Sequence, residues 1–320
     1  MSRTIVGGRA IAPLLPFDPR EGILVKAPER AEPGYWVGCP GVLREAGRTL
    51  LTYRERHPRG TAPERGWRCA IAESTDGVTF ADAWEVTKDR LGTSSMERFC
   101  LLPAPGGYQL FFSYVDPADN RWRVDLAEAA SVEAFDVAKA EPVLTAASTG
   151  TEGVKDPYAM RVGPTVYLFA SFARAGEFDA DRAHGTADIY NVGVTTCPTG
   201  VATGTGGAGF RWHGTALDVG DGWDRYQARL NCVVPMDGSY LGFYDGSASS
   251  AENYEERCGL AVSGDLLSWT SVSPDGPWVS GPDGTGSVRY LDAFREDGEW
   301  WIYYEMTRAD GAHELRLIRQ

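Results

Sequence analysis

The sequence predicts an all-β fold: a single five-bladed β-propeller spanning residues 1–320, its last blade closed by an N-terminal strand. Three observations lead there. Apolar residues hardly ever recur at helical spacing. A pair of strands, the second rich in aromatics, returns five times at a nearly even interval. Turn formers abound, with 38 glycines and 19 prolines, while an apolar fraction of 43% supplies ample core.

The N-terminal stretch "MSRTIVGGRAIAPLLPFDPREG" lacks a long apolar run behind a basic start, so no signal peptide is read there. No segment approaches the ~18 apolar residues of a membrane helix, and a cytoplasmic protein is expected. The five strand pairs follow in order. "GCPGVLRE" precedes "RTLLTYRER", "MERFCLLPAPGG" precedes "YQLFFSYVD", and "VKDPYAMRVGP" precedes "TVYLFASFAR". "ARLNCVVPMDG" then precedes "SYLGFYDGS", and "SVRYLDAFREDG" precedes "EWWIYYEMTR". Third strands include "RCAIAESTDGVTF", "WRVDLAEAASVEAF" and "CGLAVSGDLLSWTSV".

Measured from Cys39 to Glu97, Asp156, Arg229 and Arg289, the steps are 58, 59, 73 and 60 residues. The Gly/Thr-rich "CPTGVATGTGGAGF" is read as a loop insertion that lengthens the third step. The fifth unit ends at Gln320 after three strands, so "GRAIAPLL" or "GILVKAP" is expected to complete its sheet and cover an otherwise open edge.

A formal charge of −13 argues against a nucleic acid or an anionic membrane as partner. The six cysteines form no CxxC pair and only four histidines accompany them, so no structural zinc site is expected. In a reducing compartment the thiols stay free and pack as small hydrophobes. No cofactor or metal is called for, and no ligand cluster demands a central cation.

In a propeller the first strand of each blade lines the axis, and the second returns to the face where the first begins. First-strand starts and second-strand ends therefore meet around one pocket. Aligned on the second strands, the first set is Trp36, Glu97, Lys155 with Asp156, Arg229 and Arg289; the second is Thr52, Ser113, Ser171, Asp245 and Glu305. Carboxylates and fixed cations crowded into a low-dielectric tunnel shift one another's pKa values, the usual preparation for acid/base work. Asp156 and Glu97 are the candidate catalytic pair; Trp36, Lys155, Arg98, Arg229, Arg289, Asp245 and Glu305 are candidate substrate-binding residues. Plainer roles stand beside these. Glu97 and Arg98 would serve as an ion pair between blades, Trp36 as core filler, Glu305 as a solvated strand end, and Asp245-Gly246 as a turn.

On "VKDPYAMRVGPTVYLFAS" and the blade-ending turn "GLAVSGDLLSW", the chain resembles the arabinanase/levansucrase/invertase-like superfamily of five-bladed propeller glycosidases. The resemblance covers the whole chain as a blade pattern. It implies three acids at the axial pocket: a base or nucleophile from the first blade, a transition-state-stabilising Asp and a general-acid Glu. Asp156 matches the Asp-Pro carboxylate, and Glu97 is the best-placed acid. The first blade departs from the pattern, because Cys39 stands before proline where the resemblance places an Asp.

The expected function is therefore a glycoside hydrolase-like enzyme that uses paired carboxylates on a small glycoside or sugar-derived molecule, which the arginines allow to be anionic. Two alternatives remain: a cyclase, lyase or isomerase of small-molecule biosynthesis on the same scaffold, and a non-catalytic sugar-binding propeller.

Overall fold

A computed structural model describes residues 14–175, 196–252 and 254–320. After β1 (Ile23–Lys26), the first sheet holds β2 (Trp36–Glu45), β3 (Arg48–His57), β4 (Arg65–Ser74) and β5 (Ala81–Thr87), and it runs on through β1 and the chain's last three strands to make eight. The second holds β6 (Met96–Ala104), β7 (Gly107–Val115), β8 (Trp122–Ala129) and β9 (Glu141–Leu144). The third holds β10 (Gly153–Val162), β11 (Thr165–Ala173), β12 (Thr199–Gly204) and β13 (Arg211–Leu217). The fourth holds β14 (Gln227–Met236), β15 (Ser239–Ser247), β16 (Arg257–Ser263) and β17 (Thr270–Ser271). The chain ends with β18 (Val288–Glu296), β19 (Glu299–Thr307) and β20 (His313–Arg319).

Every pairing within these groups is antiparallel. β1 adds antiparallel to β20, with Ile23 opposite Leu317 and Leu24 opposite Arg316. The last group meets the first through one parallel pair, Trp36 beside His313. Among the described residues, no helix is long and apolar enough to cross a membrane.

The second strands explain why aromatics mark the repeat. Each lies between a first and a third strand of its own sheet and is covered on both faces, so it reads as a continuous apolar run. Cores fill the spaces between neighbouring sheets. Leu50, Ile71, Phe99 and Phe112 pack between the first and second sheets, and Phe111, Val154 and Leu168 between the second and third. Phe169, Leu230 and Trp269 follow, then Phe243, Leu291 and Trp300, and finally Val37, Leu51 and Tyr303 between the last group and the first.

The Gly/Thr-rich segment departs from the loop expected of it, because its residues 199–204 are β12, paired along β11. The glycines have a packing reason. A Cβ on Gly200 would lie 2.1 Å from the Trp212 ring, so only glycine lets that indole lie on the strand. Most of the extra length in this unit, residues 176–195, lies outside the described residues.

The blade-ending turns share one device. Asp76 Oδ1 accepts from the amides of Val78 and Thr79, and Asp265 Oδ1 accepts likewise from Leu267 and Ser268. In both turns a serine two residues earlier caps the bend, as expected where Asp mimics a backbone turn.

The first strands touch one another in the succession β2, β6, β10, β14, β18 and back to β2. All five break register near the start, at Cys39–Pro40, Glu97–Arg98, Asp156–Pro157, Asn231 and Tyr290–Leu291. Both prolines thus fall in bulges, where a missing N–H costs no ladder bond. Cys39, Asp156 and Tyr290 adopt φ of 58°, 57° and 52° there, a left-handed conformation costing roughly 1–2 kcal/mol per residue. The strain is thus repeated at matching positions on three of the first strands.

Candidate active site

The bulges turn side chains from separate sheets toward one another. A Cys39 Sγ, a Glu97 carboxylate oxygen and an Asp156 carboxylate oxygen all lie within 4.8 Å of each other, and all three residues are buried. Around them the acids and cations alternate. Arg54 of β3 ion-pairs with Glu97 and stands 3.9 Å from Glu305 Oε2. Arg229 donates to Asp156 Oδ2 at 3.0 Å and to Asp245 Oδ2 at 2.6 Å. Arg289 donates to Glu305 Oε1 at 2.7 Å and to Glu256 Oε2 at 2.7 Å. Lys155 adds a cation 3.6 Å from Asp156.

Backbone groups fix the acids as firmly as the charges do. Asp156 donates its own amide to Ser113 Oγ at 3.1 Å, and its Oδ1 accepts from the Arg98 amide at 3.4 Å. Glu305 Oε2 accepts from the Cys39 amide at 3.0 Å, and the Tyr290 amide donates to Asp245. Three of these amides, those of Cys39, Asp156 and Tyr290, belong to the left-handed bulge residues.

Environment sorts the carboxylates. Burial works to raise Asp156, but the charges of Lys155, Arg229 and Arg54 outweigh it and hold the carboxyl below its usual range. Glu305 is held low in the same way by Arg289, His313 and Arg54. Glu256 sits at about 2, burial being overcome by Arg289 and Arg229. Asp245 goes the other way, to about 6, because burial, helped by Glu256, exceeds what Arg229 gives back. It is therefore a carboxyl able to carry a proton near neutrality.

Each candidate from the sequence falls in a definite place. Glu97, Lys155, Asp156, Arg229, Arg289, Asp245 and Glu305 converge as the strand alignment requires, and all are buried. Asp245 is no turn residue, since it sits within β15 opposite Arg229. Glu305 is fully buried rather than solvated. Trp36 is half-buried, its ring stacked on His313 at 4.4 Å. Arg98 spends its outer nitrogens inside the protein, on the carbonyls of Asn231 and Pro40 and on Asp292 Oδ2 at 2.9 Å, and so ties first strands together. Thr52 bonds to the Phe99 carbonyl at 2.7 Å, and Arg54, two residues on and on the same strand face, takes the place expected for it.

Sequence reasoning missed Arg54, Arg56, Tyr254 and Glu256. The first two carried a signal in "TYRER": arginines two apart on a strand share a face. Glu256 carried none, because it stands at the head of a third strand, an element not expected to reach the axis.

The trio of Cys39, Glu97 and Asp156 has the spacing of a cation site but not its electrostatics. Arg54 holds Glu97, Arg229 and Lys155 hold Asp156, and burial pushes the Cys39 thiol up to about 12. A neutral thiol between carboxylates already paired with cations is a poor ligand set, and an equally poor nucleophile.

No family model and no curated protein matches the chain. Solved structures do. The β-1,2-mannobiose phosphorylase from Listeria innocua, in complex with β-1,2-mannobiose, shares 14% identity over 90% of this chain and 89% of its own, with a TM-score of 0.60. A thermostable family-43 glycoside hydrolase shares 15% over 92% of each chain, with a TM-score of 0.63. The GH43_1 enzyme from Xanthomonas citri, complexed with xylotriose, shares 13% over 94% of this chain and 91% of its own, with a TM-score of 0.63. At these identities the likeness establishes the fold. It is the fold of the propeller glycosidases that the sequence resembles.

Proposed function

We propose that this protein is a glycoside hydrolase-like enzyme acting on a small glycoside or sugar-derived molecule, with Asp156 and Glu97 as its reactive carboxylates. The observation that carries the reading is the buried approach of these two acids within 4.8 Å, each from the bulge of a different first strand. Asp156, kept ionised, suits stabilisation of positive charge developing on a sugar ring, and Glu97 suits assistance to the leaving oxygen once it takes up a proton against the charge of Arg54. Arg229, Arg289, Glu305 and Asp245 hold the pair in register, while Lys155 and Trp36 line the approach. The scaffold in this reading is one domain, a five-bladed ring closed by β1. The succession of contacts among first strands and the five inter-sheet cores support it. A cytoplasmic setting suits six free, buried cysteines.

An inverting pair needs about 6.5–9.5 Å between carboxyl groups to admit water, whereas a retaining pair stands about 5–5.5 Å apart, and the spacing of Glu97 and Asp156 is nearer the second. Cys39, with its thiol up at about 12, supplies no base. The second reading is a cyclase, lyase or isomerase on the same scaffold.

A panel of aryl glycosides separates the two. Release of the aryl alcohol from at least one member by the wild-type protein is the expected result for hydrolysis. No release, with sugars still raising the melting temperature, would replace hydrolysis by the second reading.

A further inference from the structure

A cavity of about 350 Å³ lies among the first strands, beyond their bulges and so away from the carboxylate pair. It is lined by residues 41–43 of β2, 100–103 of β6, 158–161 of β10 and Asp292 of β18. The volume falls within the roughly 300–1,000 Å³ of small-molecule sites. Arg98 links the two ends of the axis. Its amide donates to Asp156 Oδ1 at 3.4 Å, and its guanidinium donates to Asp292 Oδ2 at 2.9 Å.

The walls are mostly apolar, built from Val42, Leu43, Leu101, Leu102, Tyr158 and Met160. Two charged residues stand among them, and they differ. Asp292 is only 3% exposed and already answered, since Oδ2 accepts from Arg98 and from the Val42 amide at 3.0 Å. That pair is neutral as a whole and favours neither sign of ligand. Arg161 is half-buried and, with the exposed Pro103, stands furthest from the bulges. Among the described residues it forms no ion pair, and its one side-chain hydrogen bond runs from Nη2 to the neutral Gln109 Oε1 at 3.1 Å. Its Nε is buried without a partner. The acid beyond Gln109 is Glu128, whose Oε1 is met by Gln109 Nε2 at 2.7 Å. A guanidinium with N–H donors to spare takes a carboxylate through paired, charge-assisted bonds. The apolar walls suit the body that carries it.

We propose that this cavity is a binding site, separate from the carboxylate pair, for a small organic acid with an apolar body. The ligand's carboxylate rests on Arg161 and its body lies against Leu43, Leu101 and Met160. Neither Asp156 nor Glu97 takes part, so this site stands or falls apart from the glycoside reading.

Calorimetric titration of the full chain with hydrocinnamate, hydrocinnamamide, phenylpropylamine and acetate provides the test. Hydrocinnamate is expected to bind roughly tenfold or more tightly than its amide, which keeps the body without the charge. Acetate keeps the charge without the body and is expected to bind no better than the amide. Arg161→Gln is expected to bring acid and amide within about twofold of each other. Its unliganded melting temperature should stay level, because Arg161 gives up one bond to Gln109 and no ion pair. Met160→Trp, filling the cavity from a half-buried position, is expected to remove binding of both compounds. No binding of hydrocinnamate by the wild type, equal affinity for acid and amide, or a preference that survives Arg161→Gln would overturn the assignment. Tighter binding of phenylpropylamine would overturn it too, and would give the cavity to a cation facing Asp292.

Discussion

At the residue scale, His313 shows how far the axial site is governed by desolvation. Its Nδ1–H donates to Glu305 Oε1 at 2.6 Å, which leaves Nε2 to accept from the Thr307 hydroxyl at 2.9 Å. Trp36 covers one face of the ring. Burial, with the charge of Arg289, brings its pKa down from 6.5 to about 4, against the pull of Glu305. The native state therefore binds fewer protons than the unfolded chain between these two values. The stability this contributes is complete above pH 6.5 and is lost as pH falls toward 4, by up to about 3 kcal/mol. Urea unfolding of wild type and His313→Asn across that range is expected to show the gap between them narrowing as pH falls. A constant or widening gap would contradict the buried, neutral imidazole. These two bonds make His313 a structural histidine. What sequence could not convey is that Glu305 depends on it, because the contact spans β19 and β20 and is made by packing. Asp156 was legible because proline restricts where a strand can carry it. Arg54 and Arg56 left a fainter trace, two arginines on one face of a strand, and nothing in "TYRER" says that both reach Glu97.

At the scale of elements, the second strands were legible and one third strand was not. "YQLFFSYVD" carries its own evidence in unbroken aromatic content, whereas β12 is built of Thr, Gly, Val and Ala and owes its place to Trp212 and to β11. Tertiary packing overrode local propensity there. β1 is short and half-exposed, and its docking rests on a tight fit just before it begins. Tyr304 donates to the Pro19 carbonyl at 2.6 Å, and a Cβ on Gly22 would fall 2.0 Å from that hydroxyl. Gly22 has an ordinary extended backbone, so a substitution there is penalised by space alone. Gly22→Val is expected to detach β1, lower the melting temperature by several degrees and speed amide exchange at Leu315 and Leu317. Removing residues 1–31 should act in the same direction and promote aggregation. An unchanged melting curve and unchanged exchange in Gly22→Val would show that β20 does not depend on this strand.

At the scale of the whole molecule, the axis is an alternating lattice of buried charge rather than an apolar plug. Such lattices contribute little net stability compared with packed hydrophobes, because desolvation consumes most of the attraction. Their presence here is explained better by a site that needs charges held in place than by a demand for stability. Asp292 offers an internal comparison. It is a buried acid further along β18, paired with Arg98 and bonded by the Val42 amide at 3.0 Å, and it has no place in the proposed chemistry. Asp156→Asn removes a charge from the reactive pair while Arg229 keeps Asp245 at 2.6 Å, so folding is largely preserved. The decisive measurement is turnover on an active glycoside together with melting temperature, for Asp156→Asn, Glu97→Gln and Asp292→Asn. The first two variants are expected to lose about 100-fold or more in rate with only a few degrees of destabilisation, and the third to lose stability but keep its rate. If Asp156→Asn and Glu97→Gln instead melt early and turn over within a few-fold of wild type, the acids are structural ion pairs, and the axial site is not where this protein does its chemistry.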